Sequence, residues 1–127
     1  MRASFDLAGH VYILLTLLFT VYGQLVLKWQ MGFAGQMPAG TQDKLVFLLL
    51  QFLNPWILSG FLSAFVASLT WMAAMTRLDL GYAYPFMSMA FVIVMVFGVI
   101  FLGESMNLAR VAGTGLVVAG LVIISRA

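Results

Sequence analysis

The residues of this chain whose types and spacing could do chemistry lie on one apolar stretch. From Val11 to Met31 the sequence reads VYILLTLLFTVYGQLVLKWQM, and within it Tyr12, Thr16, Thr20, Gln24 and Lys28 recur at intervals of four. Residues at i and i+4 lie one above the other on a helix, so the five form one slowly winding polar ridge. Facing lipid would cost several kcal/mol for each unsatisfied group, so the ridge must face protein, water or a ligand. Lys28 is the sharpest of the five, because an ionisable group inside an apolar span suggests function. The bland reading is that it snorkels to the interface beside Trp29 from about one turn inside the span. Gln24 lies one turn deeper and needs a hydrogen-bond partner, either a neighbouring helix or a bound polar head group. Glu104, in a turn near the end of a later apolar stretch, could act as a gate or pair with a basic group.

This chemistry is binding rather than bond-breaking. The chain has no cysteine and only one histidine, His10, read as an interfacial residue at a helix start. No span holds paired carboxylates, and no glycine run lies between a strand and a helix, so neither a catalytic constellation nor a phosphate-cradling loop can be built. Nothing calls for a metal or a cofactor. Six basic against four acidic residues is too slight an excess for nucleic acid, which leaves anionic membrane lipid as the partner the charge suggests.

The elements that must position these residues follow from hydropathy. Of 127 residues, 64% are hydrophobic and 8% charged, against about 25% charged in a soluble domain. The chain is therefore read as an all-α integral membrane protein with four transmembrane helices, at about 10–31, 55–76, 82–103 and 108–125, in one domain over 1–127. Arg2 and the run behind it loosely resemble a signal peptide, but the run is too long and no A-x-A-like site follows, so it is read as a retained span. The glycines and Pro38 of Gly32 to Thr41 mark a loop. Leu45 to Leu53 is too short to cross, and joined to the next span it would make a helix of about 48 Å. It is read as an interfacial helix near 43–53, ended by Asn54-Pro55 as N-cap and first helical residue.

In the second span Ser59, Gly60, Ser63, Ala64, Ala67 and Ser68 make a flat face suited to close helix approach, with substrate contact through the serines as the lesser alternative. Arg77 to Gly81 reads as a short solvated turn. Pro85 is placed in the first turn of the third span, where a missing N–H costs little. Met87, Met89 and Met95 line that span, as packing or as a flexible apolar pocket. Asn107 is the expected N-cap of the fourth span, in which Ala112, Gly115 and Ala119 share one face and Gly113 and Gly120 another. With the amino terminus inside, Arg2, Arg77 and Arg126 fall on one side and Lys28, Lys44 and Arg110 on the other, a balance that fixes no orientation.

The segments GQLVLKWQ at Gly23 to Gln30, GYAYPFMSMAFVIV at Gly81 to Val94, and LGES before the glycine-rich last span resemble the small four-span branch of the drug/metabolite transporter superfamily. Within that EamA-like group the chain is most similar to the aminoarabinose-phosphoundecaprenol flippase subunits, which are related to small multidrug resistance transporters. The resemblance covers nearly the whole chain and implies paired four-helix units, as a homodimer or a heterodimer with a paralogous subunit. It also implies a polyprenyl-phosphate-linked sugar as substrate and the bacterial inner membrane as location. The small multidrug transporters carry a membrane-embedded glutamate in their first span. Aligning Gly23 and Lys28 with that motif puts Thr20 at the glutamate's position, and a threonine can neither titrate near neutral pH nor balance a cation.

The expected function is thus a flippase for an anionic lipid-linked sugar. Lys28 would hold the phosphate through a charge-assisted hydrogen bond. Gln24, Thr20, Tyr84, Ser88 and Glu104 complete the expected substrate-binding set, along a ridge that faces the third span. The alternatives are a secondary transporter of small hydrophobic or cationic molecules, and a non-transporting subunit of a membrane complex.

Overall fold

The computed structural model describes residues 6–127, so Arg2, counted in the charge balance, lies outside the described residues. Helix α1 spans Leu7–Ala34, three residues longer at each end than expected. Asp6 opens it, its Oδ1 accepting a hydrogen bond from the Gly9 N–H at 3.1 Å. Gly35 closes it with φ of 88°, a conformation that glycine adopts without strain. Gly32, taken from the sequence as the loop's start, remains helical. Twenty-eight residues make a helix of about 42 Å, which exceeds a hydrocarbon core of about 30 Å and implies tilt or projection beyond it.

Helix α2, Thr41–Leu50, continues into a 3-10 turn at Gln51–Leu53, where the short interfacial helix was expected. Asn54 then stops and restarts the chain. Its Oδ1 accepts from the Trp56 N–H at 2.9 Å, and its Nδ2 donates to Gln30 Oε1 at 2.9 Å. The cap of α3, Pro55–Met75, is thereby tied to the end of α1.

Helices α1 and α3 pack along their length. Gly60, Ser63, Ala67 and Ala74 are the buried small residues of α3, and Gly23 of α1 meets Gly60 so closely that a Cβ on Gly23 would lie 3.0 Å from the Gly60 carbonyl oxygen. Two hydrogen bonds fix the register. Ser63 Oγ donates to the Phe19 carbonyl at 2.6 Å, and the Thr16 and Thr70 hydroxyls lie 2.7 Å apart. Lipid tails are as apolar as leucine, so such close packing and interhelical hydrogen bonding must hold the pair together in a bilayer. The small-residue face of the second span is borne out in part. Ser59, Ala64 and Ser68 are not buried against α1, although Ser59 still bonds the Tyr22 hydroxyl of α1 at 2.8 Å.

The third span is not one continuous helix. It comprises α4, Leu80–Ala83, a 3-10 segment at Tyr84–Ser88 and α5, Met89–Phe101. The expected place of Pro85 is corrected: the helix starts at Leu80, so Pro85 is its sixth residue and lies beyond the first turn. Having no N–H for the Gly81 carbonyl and a ring that crowds it, Pro85 forces the chain into the tighter winding. The Arg77–Gly81 turn is also more than a solvated connection. Arg77 pairs with Asp6 at 3.3 Å, and His10 Nε2 lies 2.9 Å from the Tyr82 hydroxyl, so the turn is held against the start of α1.

Helix α6, Leu108–Ser125, is capped by Asn107, whose Oδ1 accepts from the Arg110 N–H at 2.9 Å. It rests on the 3-10 segment and α5 through buried Thr114 and Leu121. Ala112, Gly115 and Ala119 stay exposed, so the helix association anticipated there is not met within one chain. Four helical stretches are long and apolar enough to cross a membrane, and the described residues include no strand. The chain is a multi-pass, all-helical membrane protein.

Candidate functional site

A cleft of about 560 Å³ opens between α1, α3 and the 3-10 segment. Helix α1 contributes Thr16, Thr20, Gly23, Gln24 and Leu27, α3 contributes Ala64, Ser68, Trp71 and Met72 among others, and the 3-10 segment contributes Tyr84 and Met87. The volume lies within the range of about 300–1,000 Å³ typical of small-molecule sites.

The polar groups on this wall fall into two kinds. The Thr16 hydroxyl is committed to the Tyr12 carbonyl at 2.8 Å and to Thr70, and Ser68 Oγ donates to the Ala64 carbonyl at 3.1 Å. Thr20, Gln24 and Tyr84 make no side-chain hydrogen bond to any described residue. Tyr84 is instead oriented by Trp71, whose ring meets it edge-on with centroids 5.9 Å apart. A glutamine amide in an apolar span is stable only if something hydrogen-bonds it, so the cleft presents hydrogen-bonding capacity that the fold leaves unspent.

Of the six sequence-predicted site residues the structure brings three together here: Thr20, Gln24 and Tyr84. Ser88 is at the end of the 3-10 segment and does not line the cleft. Lys28 and Glu104 lie outside its lining but are joined to each other, with Nζ 3.8 Å from Oε2. Lys28 sits one helical turn beyond Gln24, so the pair stands just past the cleft's polar end. Beside it Leu25, Val26, Trp29, Phe97, Phe101 and Leu102 line an apolar cleft of about 400 Å³ between α1 and α5.

The ridge's predicted aspect needs correction. It was expected to face the third span, but the second span supplies most of the facing wall because the Gly23–Gly60 contact draws α3 against it. Sequence reasoning missed Trp71 and left Ser68 outside the expected substrate-binding set, although substrate contact through the serines of the second span was its lesser alternative. The serine was visible as part of the small-residue face, whereas nothing local marked Trp71. Of the three methionines singled out, Met87 alone reaches this cleft; Met89 packs on the core cluster around Ile13 and Ala74, and Met95 contacts the Thr114 hydroxyl. No carboxylate lines the cleft among the described residues, and no group of three or more histidine, cysteine, aspartate or glutamate side chains among them could hold a metal ion.

Comparison with known proteins agrees with this architecture. Over 106 residues, 80% of this chain and 81% of the relative, the sequence is 34% identical to the probable 4-amino-4-deoxy-L-arabinose-phosphoundecaprenol flippase subunit ArnF of Erwinia tasmaniensis. Over 73 residues, 58% of this chain and 64% of the relative, it is 30% identical to the probable flippase subunit ArnE of Pseudomonas aeruginosa, named for the same lipid. No solved structure matches. The model of the EamA-like transporter family matches residues 7–126. A four-span chain with a polar cleft walled by its first three spans, matched over nearly its whole length, belongs to the EamA-like transporter family.

Proposed function

We propose that this transporter is one subunit of a flippase that moves a polyprenyl-phosphate-linked sugar across the bacterial inner membrane without altering it chemically. The observation that carries the reading is the cleft itself, where Thr20, Gln24 and Tyr84 present unengaged polar groups and a cationic side chain stands one turn beyond. The sugar hydroxyls take hydrogen bonds from these three residues. The phosphate takes the Lys28 ammonium, and the prenyl chain remains in lipid or against the aromatic side chains of α5. The names of the two relatives support the substrate class. A single chain leaves the cleft open and the small-residue positions of α6 uncovered, which favours a pair, either two copies or this chain with a paralogous four-span subunit.

The competing reading, proton-coupled export of lipophilic cations, is disfavoured because Thr20 stands where a titrating carboxylate would be needed. The test is translocation of a polyprenyl-phosphate-sugar in liposomes holding the purified protein, alone and with any four-span chain that co-purifies. Lys28→Ala is expected to lower translocation about ten- to a hundredfold, the worth of a hydrogen bond to a charged group. Full activity in a folded Lys28→Ala protein would refute the phosphate role. Resistance to quaternary ammonium compounds on expression would favour the competing reading.

A further inference from the structure

The third span opens with parts that do not hold themselves. Helix α4 is a single turn of four residues, and Asp79 precedes it without a side-chain capping bond. A lone turn fixes several backbone dihedrals for one hydrogen bond, so it persists only where tertiary contacts grip it. The 3-10 segment that follows has poorer hydrogen-bond geometry and starts at Tyr84, a residue of the cleft wall. Tyr84 is therefore placed by whatever grips its neighbours. Ala83 is fully buried beside Ile13, Leu17 and Ala74, but a methyl group gives little direction. The directional grip is on Tyr82, whose ring meets the His10 ring edge-on with centroids 5.7 Å apart and whose hydroxyl lies 2.9 Å from His10 Nε2. Phe86 closes on the same two rings, at 5.8 Å from His10 and 5.2 Å from Tyr82. The imidazole is itself oriented by α1, since Nδ1 lies 2.7 Å from the Asp6 carbonyl. A carbonyl oxygen only accepts, so Nδ1 carries the hydrogen; in the neutral ring Nε2 is the acceptor and the Tyr82 O–H donates. The nearby Arg77–Asp6 pair reaches the same turn, but its arginine is 48% exposed, and exposed pairs contribute little.

From this we infer that His10 is a positioning residue of the cleft: through Tyr82 it sets where Tyr84 stands against Trp71. The inference rests on the flippase reading above and deepens it by adding a residue that does not line the cleft. Residues two apart on a helical turn lie on roughly opposite sides of it, so Tyr82 faces the start of α1 while Tyr84 meets Trp71 of α3, edge-on at 5.9 Å. One residue separates the two tyrosines. A rotation of α4 that takes Tyr82 off His10 therefore takes Tyr84 off Trp71 and moves its hydroxyl relative to Thr20 and Gln24 across the cleft. The backbone of α1 at Asp6 thus sets the position of a cleft residue on another span.

The test has two arms, both built on Tyr82→Phe, which removes the hydroxyl and keeps the ring. The first is a double-mutant cycle on translocation of a polyprenyl-phosphate-sugar in liposomes. Tyr82→Phe and Tyr84→Phe should each lower translocation about two- to tenfold, the worth of one neutral hydrogen bond. A residue that acts through Tyr84 has nothing left to place once the Tyr84 hydroxyl is gone, so the double variant should be no worse than Tyr84→Phe alone; independent losses would multiply. The second arm needs no substrate. The chain has three tryptophans, and Trp29→Phe with Trp56→Phe leaves Trp71 as the sole emitter. In that background Tyr82→Phe should move the emission maximum toward that of Tyr84→Ala, in which the ring contact is lost, while Arg77→Gln should leave it in place. A double variant that loses translocation multiplicatively, or a Trp71 emission that Tyr82→Phe leaves unmoved, overturns the positioning role and leaves the flippase reading standing. No translocation by the unsubstituted protein, alone or with a co-purifying four-span chain, overturns the flippase reading and the transport role of His10 together.

Discussion

The crossing of α1 and α3 sets the cleft, and a pair of glycine substitutions tests that crossing sharply. Gly23 and Gly60 face each other, but their surroundings differ. A Cβ on Gly23 would lie 3.0 Å from the Gly60 carbonyl oxygen, a backbone atom that cannot swing aside. A Cβ on Gly60 would meet the Gly23 carbonyl oxygen at 3.5 Å and Leu27 side-chain atoms at 3.6 Å, ordinary contact distances. Replacing glycine by alanine within a helix gains about 0.5–1 kcal/mol of backbone preference at either site, so this contribution largely cancels between the two variants. Overpacking a tight contact costs typically 1–3 kcal/mol, and only Gly23→Ala meets one. Gly23→Ala should therefore be the less stable variant by about 1–3 kcal/mol, with Gly60→Ala neutral or slightly stabilised. Reversible unfolding in mixed micelles titrated with SDS, followed by circular dichroism, reads the difference directly. Equal stabilities, or a greater loss in Gly60→Ala, would refute the close approach and with it the placement of the cleft wall.

Asn54→Ala removes both the α3 cap and the bond to Gln30, and should destabilise by about 1–2 kcal/mol; Asn54→Asp, which keeps the capping oxygen but not the Nδ2 donor, should fall between in the same titration. Gln24→Leu replaces an unengaged amide with an apolar side chain, so stability should hold or rise while lipid-sugar translocation falls about two- to tenfold, the worth of one neutral hydrogen bond. Pro85→Ala restores an N–H and removes the ring's clash with the Gly81 carbonyl. The Tyr84–Ser88 segment should relax toward α-helix, with slower amide exchange there, unchanged or higher stability, and reduced translocation because Tyr84 turns relative to Trp71.

What the sequence revealed about this fold was local chemistry, and what it concealed depended on azimuth. Asn54 and Asn107 were legible as caps because a side-chain oxygen satisfying an N–H two or three residues on needs no knowledge of the rest of the chain. The four spans were legible from length and hydropathy, but the break in the third was not: Pro85 was visible, while the helix start that put it six residues in depended on Asp79 lying in an extended conformation. The polar ridge shows the limit most clearly. At 3.6 residues per turn, each step of four residues rotates the side chain by roughly 40°, so Tyr12 and Lys28 differ by roughly 160° around α1. One sequence periodicity thus serves three surroundings in turn. Thr16 meets Thr70 of α3, Thr20 and Gln24 face the open cleft, and Lys28 comes round to Glu104 beyond the end of α5. The spacing of four identified the residues correctly, yet it could not say that they stop acting as one track, because that depends on where α3 and α5 stand around α1. The Gly23–Gly60 contact fixes the first of those positions and the Gly98–Glu104 turn marks the second. A ligand that uses the whole row must therefore wind with it, past Thr20 and Gln24 in the cleft and then past Lys28 a turn further on.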